Sequence, residues 1–587
     1  MSGRGRESCV AAGLLAVVLA MPGVAAAQSA FQPLTGNAVP QGSPIPRVLP
    51  PTPPSVAPGL EVPPATEAPL PGGDQAVAVR AVAVEGATAF SARRFDAVTA
   101  GLIGPATTLS RIEAARLALL NLYRADGYAF TAVNAALAAE TGRLRFTVVE
   151  GRIADVKLEG DIGPAGVQVL RFLRHLTETR PINTATLERW LLLAQDVPGV
   201  TVHAVLRPST DDPGALTLIA QVSRQVADGL LTADNRAFPL TGPEEVLGVL
   251  DANSFTQLGE RTEVSIYHTN GNTQNFGQVS EEVFLGGSGL KLRVYGGYGQ
   301  ATPSDPLRSI GYKGFTTLIG AALTYPVIRQ RQQTLNLGIN FDVVETEVRD
   351  EAVPGGVTVR ASRDSLRVGR VGADYALQDL VLGGDRGAVN LVSLRVSHGF
   401  PGLGGTGDDN PTPGRVGERA DFTKLSFDLS RTQTLFQPWA GATVALRGRV
   451  LGQVTGDILP PAEQFFFGGP EFNRGFYAGE VTADTALSWT VEAQLNWAFE
   501  APLLGRVWSV TAQTYAFYDR GEAWQNQRGA ADERLSSEGI GGRFFLTRYT
   551  EFDVEGVIRN TRLPLGLPGI VRPIKADAAY WRVLTRF

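Results

Sequence analysis

The sequence predicts a mainly β protein, in which a C-terminal transmembrane β-barrel of about 16 antiparallel strands follows two small α+β domains. Three observations lead to this fold class. Residues 226–587 lack a helical period and hold many runs in which apolar and polar residues alternate. These runs are about ten residues long, the length of a tilted strand that crosses a membrane. Upstream, residues 76–225 combine strand-like and helical segments in two similar units.

Alternation is clearest in two segments of the C-terminal region. In residues 487–499, apolar side chains fall on one face and polar side chains on the other. The apolar positions are Leu487, Trp489, Val491, Ala493, Leu495, Trp497 and Phe499. In residues 508–519, the polar face holds Ser509, Thr511, Gln513 and Asp519. A single apolar face also suits a soluble β-sandwich, so alternation alone leaves both folds open.

Features at the ends of the runs favour the membrane barrel. Aromatic residues lie there, as they do where a barrel meets the membrane interfaces. The chain ends with YWRVLTRF, an apolar alternation that closes on Phe587. Such an ending is typical of the last strand of bacterial outer-membrane barrels. At about 22 residues per strand and connection, the 362 residues from 226 to 587 form about 16 strands, an even number as the barrel rule requires.

Residues 1–27 have the pattern of a cleaved secretory signal peptide. Arg4 and Arg6 precede an apolar stretch at 10–20, and a small-residue cleavage site ends at Ala27. The stretch is shorter than the roughly 20 apolar residues that span a membrane as a helix. Cys9, the single cysteine of the sequence, lies inside this peptide, so we expect a mature chain without thiols or disulfides.

Residues 28–75 form a proline-rich linker, with thirteen prolines between Pro33 and Pro71. This density excludes a helix interior and favours an extended polyproline conformation. We therefore expect a semi-rigid, solvated tether, with a docking ligand as the alternative. We also predict that no helix of three or more turns forms between residues 28 and 75.

Residues 76–151 and 152–225 are predicted to be two copies of one small domain. The segment VAVEG at 82–86 is matched 74 residues later by VKLEG at 156–160. In both units the order of elements is strand–helix–helix–strand–strand. This shared order favours a tandem domain over a chance match of five residues.

Composition and motifs exclude several classes of function. A net charge of −5 does not indicate the basic surface that binding to nucleic acid requires. The four histidines lack the spacing of a metal site, and neither a phosphate-binding lysine motif nor a serine nucleophile elbow occurs. The string G-x-G-x-x-G at 402–407 is not followed by the helix that a dinucleotide site needs. We therefore predict no enzyme activity, no metal and no cofactor.

Several ordered motifs resemble the TpsB transporters of two-partner secretion, the family of haemolysin- and filamentous-haemagglutinin-type exporters. The motifs are LERWLLLAQDVPGV in the second small domain, TYPVIRQRQQTLNLG at 324–338, FFFGGPEFNRGFYAG at 465–479, FYDRG at 517–521 and SEGIGGRFF at 537–545. The resemblance covers nearly everything after the linker. It implies that the small domains are POTRA-like and lie in the periplasm, and that the barrel lies in a bacterial outer membrane.

The resemblance also implies a lumenal loop lock. In the family, a loop with an Arg-Gly-aromatic core folds back into the barrel, where its arginine meets an aspartate of an F-x-D-x-G strand motif. Here the core is Arg474, Gly475 and Phe476, and the strand motif is Phe517, Asp519 and Gly521. Asn473 stands where the family usually has valine, so the apolar anchor before the arginine is lost.

The alternation of the strand residues is compatible with this lock. Asp519 lies on the polar face, which is expected to line the lumen. In the next strand, one face holds Gly539, Gly541 and Arg543. Two glycines there would let another backbone approach closely. Without the resemblance, a solvated Arg474 on an ordinary extracellular loop is an equal alternative.

The resemblance finally implies the partners. A large secreted client protein with an N-terminal secretion domain would add a strand to an exposed edge of a POTRA-like domain. It would then cross the barrel without nucleotide hydrolysis, driven by folding outside the cell. Outer-membrane lipid is the other expected partner. The alternatives are a barrel-assembly factor of the same superfamily, which usually carries more POTRA domains than fit before residue 226, and a passive porin.

Overall fold

The computed structural model describes residues 38–49, 56–57, 73–351, 356–503, 506–561 and 574–587. The predicted signal peptide and most of the proline-rich linker lie outside these residues. The described chain is mainly β, with two α+β units ahead of a closed barrel.

Two α+β units follow a one-turn helix, α1. The elements up to the end of the second unit are α1 (Ile45–Val48), β1 (Ala76–Val79), β2 (Ala81–Glu85), α2 (Arg93–Thr99), β3 (Gly104–Thr108), α3 (Leu109–Ala125), β4 (Ala132–Ala138), β5 (Arg143–Val149), β6 (Arg152–Glu159), α4 (Ala165–Leu173), α5 (His175–Glu178), α6 (Thr184–Gln195), β7 (Val200–Pro208) and β8 (Ala215–Arg224). The first unit has the sheet order β2-β5-β4 and the second has β6-β8-β7, so β4 and β7 lie at corresponding edges. The first unit adds a small sheet of β1 and β3, which the sequence pattern does not indicate.

Strand and helix periodicity build the cores of these units. In β5, the alternate residues Leu144, Phe146 and Val148 are buried, and Arg145 and Thr147 between them are exposed. Helix α3 covers this face of the sheet with Leu119 and Tyr123, both fully buried. Each unit therefore has a helical layer on a three-stranded sheet, to which the first unit adds the small sheet of β1 and β3.

The barrel closes with sixteen antiparallel strands, because the last strand pairs with the first. Its elements are β9 (Ala227–Asp234), β10 (Glu245–Asn253), β11 (Arg261–Thr269), β12 (Gln274–Phe284), β13 (Lys291–Ala301), β14 (Lys313–Arg329), β15 (Gln333–Glu351), β16 (Thr358–Asp379), β17 (Ala388–Gly399), β18 (Thr423–Phe436), β19 (Thr443–Thr455), β22 (Thr485–Leu503), β23 (Arg506–Trp524), β24 (Glu533–Phe545), β25 (Thr550–Arg559) and β26 (Asp577–Arg586). A separate short hairpin, β20 (Phe465–Phe467) and β21 (Val481–Ala483), lies in the loop between β19 and β22. The predicted fold class and strand number are confirmed.

Several barrel strands are longer than the predicted ten residues. β15 and β22 have 19 residues each, and β16 has 22. A hydrocarbon layer of about 30 Å takes about ten residues of a tilted strand, so the ends of these strands extend beyond it. Apolar residues face outward along the strands, as at Val491, Ile540 and Val583, which are 44%, 70% and 40% exposed in the absence of lipid.

The second α+β unit is fixed to the lower end of the barrel, the end at which β9 begins. Phe284, the last residue of β12, enters the core of the unit with its ring centroid 5.1 Å from that of Phe172. Arg329, the last residue of β14, donates from Nε and Nη2 to the two carboxylate oxygens of Asp196 at 2.8 and 2.7 Å. Apolar and charged contacts therefore hold the unit beside the lower opening of the lumen.

Residues 38–49, which we call the strap, lie inside the barrel. Ile45 and Val48 are each 4% exposed and pack against side chains on the lumen faces of β10, β11 and β12. Further along the chain, the N–H of Ala57 donates to the carbonyl of Arg331 at the lower end, at 2.7 Å. The expectation of a solvated tether is therefore wrong for the strap, because its apolar side chains find a buried surface in the lumen.

Helix α1 is limited to one turn by its neighbours in the sequence. It ends at Val48 because Leu49 precedes Pro50, and a residue before proline disfavours the helical conformation. In the described parts of residues 28–75, α1 is the only helix. Among all residues that the structure describes, no helix combines the length and the apolar character that a membrane crossing requires.

Candidate functional site

One long barrel loop, residues 456–484, folds back into the lumen; we call it the inserted loop. Phe467 and Phe476 are both 0% exposed. They pack against Ala486 of β22 and Leu535 of β24 on the lumen face of the barrel wall. These apolar contacts seat the inserted loop, so its tip lies among the polar side chains of β22, β23 and β24.

Arg474, at the tip of the inserted loop, forms a forked ion pair with Asp519 of β23. Its Nη2 lies 3.0 Å from Oδ1 and its Nε lies 3.1 Å from Oδ2. The backbone N–H of Arg474 also donates to Oδ2, at 2.8 Å. The two side chains are 2% and 0% exposed, so neither charge is solvated. The structure thus brings together the two residues that the sequence analysis pairs.

A second carboxylate shares the Arg474 guanidinium. Nη1 donates to Oε2 of Glu492 on β22, and Nη2 donates to the hydroxyl of Thr490 at 2.9 Å. The guanidinium carbon also lies 3.5 Å from the centroid of the Phe517 ring, in a cation–π contact. The alternation of β22 puts Glu492 and Thr490 on its polar face, but no sequence motif assigns either residue to the site.

Arg543 balances the second carboxylate. Its Nη1 lies 3.2 Å from Oε1 of Glu492, and its guanidinium carbon lies 4.2 Å from the centroid of the Tyr515 ring. Two arginines, Arg474 and Arg543, therefore face two carboxylates, Asp519 and Glu492. A balanced set of this kind avoids the large penalty of a lone buried charge.

Further contacts hold the backbone of the tip at Gly475. Its N–H donates to the hydroxyl of Ser537 at 3.2 Å. Its carbonyl accepts from Nε of Arg559 and from the hydroxyl of Tyr580, the latter at 3.1 Å. A Cβ at Gly475 would lie 2.6 Å from the Cβ of Ser537, so a larger residue does not fit unless the strand moves.

Asn473 suits the backbone of the tip. Its φ is 47°, in the left-handed region, where asparagine is tolerated and a β-branched residue such as valine is strained. Its Oδ1 accepts from the hydroxyl of Ser488 at 2.7 Å, and the residue is 0% exposed. A polar anchor therefore stands where the sequence analysis notes the loss of an apolar one.

The glycines of β24 have a different role from the predicted one. A Cβ at Gly539 would lie 2.7 Å from the Phe517 ring, and a Cβ at Gly541 would lie 2.5 Å from the Tyr515 ring. The two glycines therefore make room for aromatic rings of the neighbouring strand and not for the backbone of the loop. The loop comes close at Gly521 instead, where a Cβ would meet side chains of the inserted loop at 2.8 Å.

Two glutamates anchor other parts of the inserted loop. Glu471 lies 3.1 Å from Arg447 and 3.0 Å from Arg449, both on β19. Glu463, near the base of the loop, lies 2.9 Å from Lys424 of β18. These pairs are not predictable from the sequence, because acidic residues in a loop do not identify the basic strand residues opposite them.

Arg236 reaches the tip from the connection that follows β9. It is 5% exposed, and its Nη1 donates to the carbonyl of Arg474 at 2.9 Å. No sequence motif points to it.

Among the described residues, no group of three or more histidine, cysteine, aspartate or glutamate side chains could hold a metal ion. The buried ion pairs of Arg474 and Arg543 with Asp519 and Glu492 hold the inserted loop in the lumen.

Comparisons with known proteins match both parts of the chain. A family model described as haemolysin secretion/activation protein ShlB/FhaC/HecB matches residues 218–544, and a model described as POTRA domain, ShlB-type, matches residues 77–151. Among solved structures, CdiB from Escherichia coli has a TM-score of 0.69 at 17% identity, over 90% of this chain and 94% of that one. CdiB from Acinetobacter baumannii has a TM-score of 0.60 at 15% identity, over 89% and 91%. These likenesses show the shared fold, and no curated protein matches the chain.

Proposed function

The chain belongs to the haemolysin secretion/activation protein family ShlB/FhaC/HecB, and from this premise we propose that it exports a secreted client protein through its barrel. It is an outer-membrane β-barrel of a secretion family rather than an enzyme family, and POTRA domains of this kind lie in the periplasm. The lower end of the barrel is then the periplasmic end. The observation that carries the proposal is a lumen filled by a loop whose tip is held through buried, balanced charges.

The client would enter a lumen that two segments occupy, the strap and the inserted loop. These segments touch each other, since the guanidinium of Arg47 lies 4.8 Å from the ring centroid of Phe466. A Cβ at Gly479 would also lie 2.5 Å from the ring of Pro40. We therefore interpret the structure as a closed state. Passage of a chain requires that at least one segment moves, and the Arg474 contacts hold the inserted loop in place until then.

The edge strand β7 is where we place client docking. The carbonyl of Val202 accepts from the side chain of Gln195 at 3.0 Å, so it points away from β8 and towards the open edge. Since backbone direction alternates along a strand, the N–H and carbonyl groups of Ala204 and Leu206 point to the same edge. An extended client could pair with these groups through its backbone, with little demand on its sequence.

The two units protect their edges in the same way. In the first unit, Arg116 of α3 donates to the carbonyl of Val133 on the edge strand β4, at 3.1 Å. In the second unit, Gln195 of α6 does the same for Val202 of β7. In each unit a helix residue therefore covers one carbonyl near the start of the edge, which limits unspecific pairing and leaves the later part of the strand for the client.

Secretion tests the proposal directly. The chain would be expressed with a candidate client, a very large exported protein encoded beside it, and the client outside the cells would be measured. We expect wild type to secrete the client, and Arg474→Ala and Asp519→Ala to reduce or abolish secretion while the barrel still assembles. Arg474→Ala leaves the Asp519 carboxylate buried without an ionic partner, a loss of about 3–5 kcal/mol. Asp519→Ala removes the forked ion pair and leaves Arg474 only its pair with Glu492.

The control is Arg293→Ala, which removes a lumenal arginine that pairs with Glu263 at 3.0 Å, away from the inserted loop. This variant is expected to secrete normally. Failure of the wild type to secrete any such client would contradict export, and would favour barrel assembly. Normal secretion by both Arg474→Ala and Asp519→Ala would contradict the role of the loop lock while leaving export intact.

A further inference from the structure

We infer that Arg236 is a latch that ties the tip of the inserted loop to the barrel seam, the pairing of β26 with β9. The inference deepens the proposed function and rests on it, because it assigns a positioning residue to the lock. With this latch, the position of the inserted loop in the lumen depends on the seam as well as on the ion pair with Asp519.

The loop side of the latch consists of three contacts with backbone atoms. Nη1 of Arg236 donates to the carbonyl of Arg474 at 2.9 Å and to the carbonyl of Gly469 at 3.3 Å. The carbonyl of Arg236 accepts from the N–H of Ala478 at 3.0 Å. The three loop residues, Gly469, Arg474 and Ala478, lie before, at and after the tip. Arg236 therefore holds the loop backbone independently of the Arg474 side chain.

The barrel side of the latch lies on the last two strands. Nη2 of Arg236 donates to Oε1 of Glu555 on β25. The guanidinium carbon lies 3.9 Å from the centroid of the Tyr580 ring on β26. Arg236 itself follows β9 by two residues, and its N–H donates to Oδ1 of Asp234 at 2.9 Å. Arg236 thus connects the loop with both sides of the seam, with β25 and β26 through its side chain and with β9 through its backbone N–H.

The seam is short and is extended by a side chain. β26 pairs five of its residues with β9 but nine with β25. Above the last backbone pair, the amide of Asn235 acts as one more rung. Its Nδ2 donates to the carbonyl of Ala579 at 3.1 Å, and its Oδ1 accepts from the N–H of Trp581 at 2.9 Å. Asn235 therefore fixes the chain immediately before Arg236, and so positions the latch.

The shape of arginine is needed for this role. Its planar fork presents several N–H groups in fixed directions, so it can bond two carbonyls and a carboxylate at once. A lysine ammonium at the same place keeps the charge for Glu555 but cannot match that geometry. We therefore expect Arg236→Lys to release the loop as Arg236→Ala does, although the lysine preserves the charge balance.

Loop position can be read out with a single cysteine, because the only natural one, Cys9, lies in the predicted signal peptide. Ala478→Cys places a small thiol on the inserted loop at a residue that is 8% exposed. Intact cells would be treated with a membrane-impermeant maleimide. We expect labelling to be slow in the otherwise wild-type chain, and at least about tenfold faster with Arg236→Ala or Arg236→Lys, the factor that corresponds to the loss of one hydrogen bond to a charged group.

Coupling to the seam is tested with Asn235→Ala, since the hydrogen bonds of the Asn235 side chain go to β26 and not to the inserted loop. We expect this variant also to label faster. The matched control is Asn390→Ala, away from the seam. It removes a side-chain hydrogen bond from β17 to the carbonyl of Leu377 on β16, together with the hydrogen bonds of Asn390 to Asp379 and Arg431. In every variant the barrel must still migrate as a folded species before heating, which separates loop release from misfolding.

The results separate the inference from the proposed function, because labelling needs no client. Slow labelling in folded Arg236→Ala would overturn the latch. Fast labelling in Arg236→Ala with slow labelling in Asn235→Ala would overturn the coupling to the seam. Secretion would be measured in parallel, where faster labelling is expected to accompany reduced export. A wild type that secretes no client but labels as expected would contradict the proposed function and leave the latch standing.

Discussion

The side chain of Asn473 fills the space that a Cβ at Gly521 would need. Built onto Gly521, that atom would lie 2.8 Å from Nδ2 of Asn473. Gly521 belongs to β23 and Asn473 to the tip of the inserted loop, so the barrel wall is shaped to receive this particular side chain. The contact lies two residues along β23 from Asp519, which holds Arg474. Steric fit at Gly521 and the negative charge of Asp519 therefore act on two adjacent residues of the loop, Asn473 and Arg474.

Gly521→Ala is expected to unseat the tip of the inserted loop. A methyl group at this position overlaps a buried side chain, and such overpacking costs about 1–3 kcal/mol. We expect reduced secretion and faster labelling of Ala478→Cys. Gly448→Ala on β19 is the control, since a Cβ there meets no atom within 4 Å. Equal secretion by the two variants would show that the loop does not depend on this contact.

Asn473→Val is expected to weaken the lock, although it restores the residue that the family usually has. Valine would be strained at a φ of 47°, by about 1–3 kcal/mol, and it would lose the hydrogen bond from Ser488. Asn473→Gly separates the two effects, because glycine accepts this backbone conformation but also lacks the hydrogen bond. We expect secretion to fall in the order wild type, Asn473→Gly, Asn473→Val. Full secretion by Asn473→Val would mean that the loop adopts another backbone conformation.

The barrel could be predicted from the sequence because its signals are local. Alternation along each strand places side chains on one of two faces, and the length of the region, at about 22 residues per strand and connection, gives the number of strands. The pairing of Arg474 with Asp519 needed the family resemblance, since the polar face of β23 indicates a lumenal Asp519 but not its partner. The prediction that Gly539 and Gly541 admit the loop backbone is wrong, because glycine in a strand indicates free space and does not say what fills it.

The remaining parts of the site depend on contacts between distant segments. Arg236 reaches Arg474 across 238 residues, and Arg559 reaches Gly475 across 84. A lone arginine in a connection carries no pattern that predicts such a contact. The prediction of a solvated tether is wrong for the strap, since proline density predicts an extended chain but not the surface on which it lies.

Arg474→Lys is expected to reduce secretion nearly as much as Arg474→Ala. The guanidinium bonds both oxygens of Asp519 as well as one oxygen each of Glu492 and Thr490, and a lysine ammonium cannot reach all four oxygen atoms. Arg293→Lys is the control, since Arg293 bonds Glu263 and Ser280 at a more open part of the lumen. Normal secretion by Arg474→Lys would show that charge alone is enough to hold the loop.

Acid is expected to loosen the first POTRA-like unit around Glu150. Burial alone would raise the pKa of this carboxyl, but hydrogen bonds from the side chain of Thr88, the N–H of Ala89 and the hydroxyl of Tyr123 outweigh it, so the pKa lies below its usual value of 4.5. Because the folded pKa is below the unfolded one, the carboxylate stabilises the fold at neutral pH. That stabilisation is lost as the pH falls below the unfolded value and through the folded one.

Hydrogen exchange at the amides of Thr88 and Ala89 would measure this loss, after correction for the intrinsic effect of pH on exchange. We expect protection to fall between neutral pH and a pH below 4.5, and Glu150→Gln to show weak protection at neutral pH already. Glu140→Gln is the control, because Glu140 is an exposed residue of the turn between β4 and β5. Protection that is independent of pH in the wild type would contradict the role of the Glu150 carboxylate.

Ala204→Pro is expected to weaken the binding of an extended client at the edge of β7. Proline removes the N–H that points to the open edge and leaves the bonds between β7 and β8 intact, so the POTRA-like unit should fold normally. Ala204→Val is the matched control, because valine keeps the N–H and favours a strand. Binding of a labelled peptide from the N-terminal region of the client to the full-length protein in detergent would be measured by fluorescence anisotropy. We expect Kd to rise by up to about tenfold for Ala204→Pro, as one lost backbone hydrogen bond allows, and to change little for Ala204→Val. Equal affinities would place the client elsewhere than on this edge.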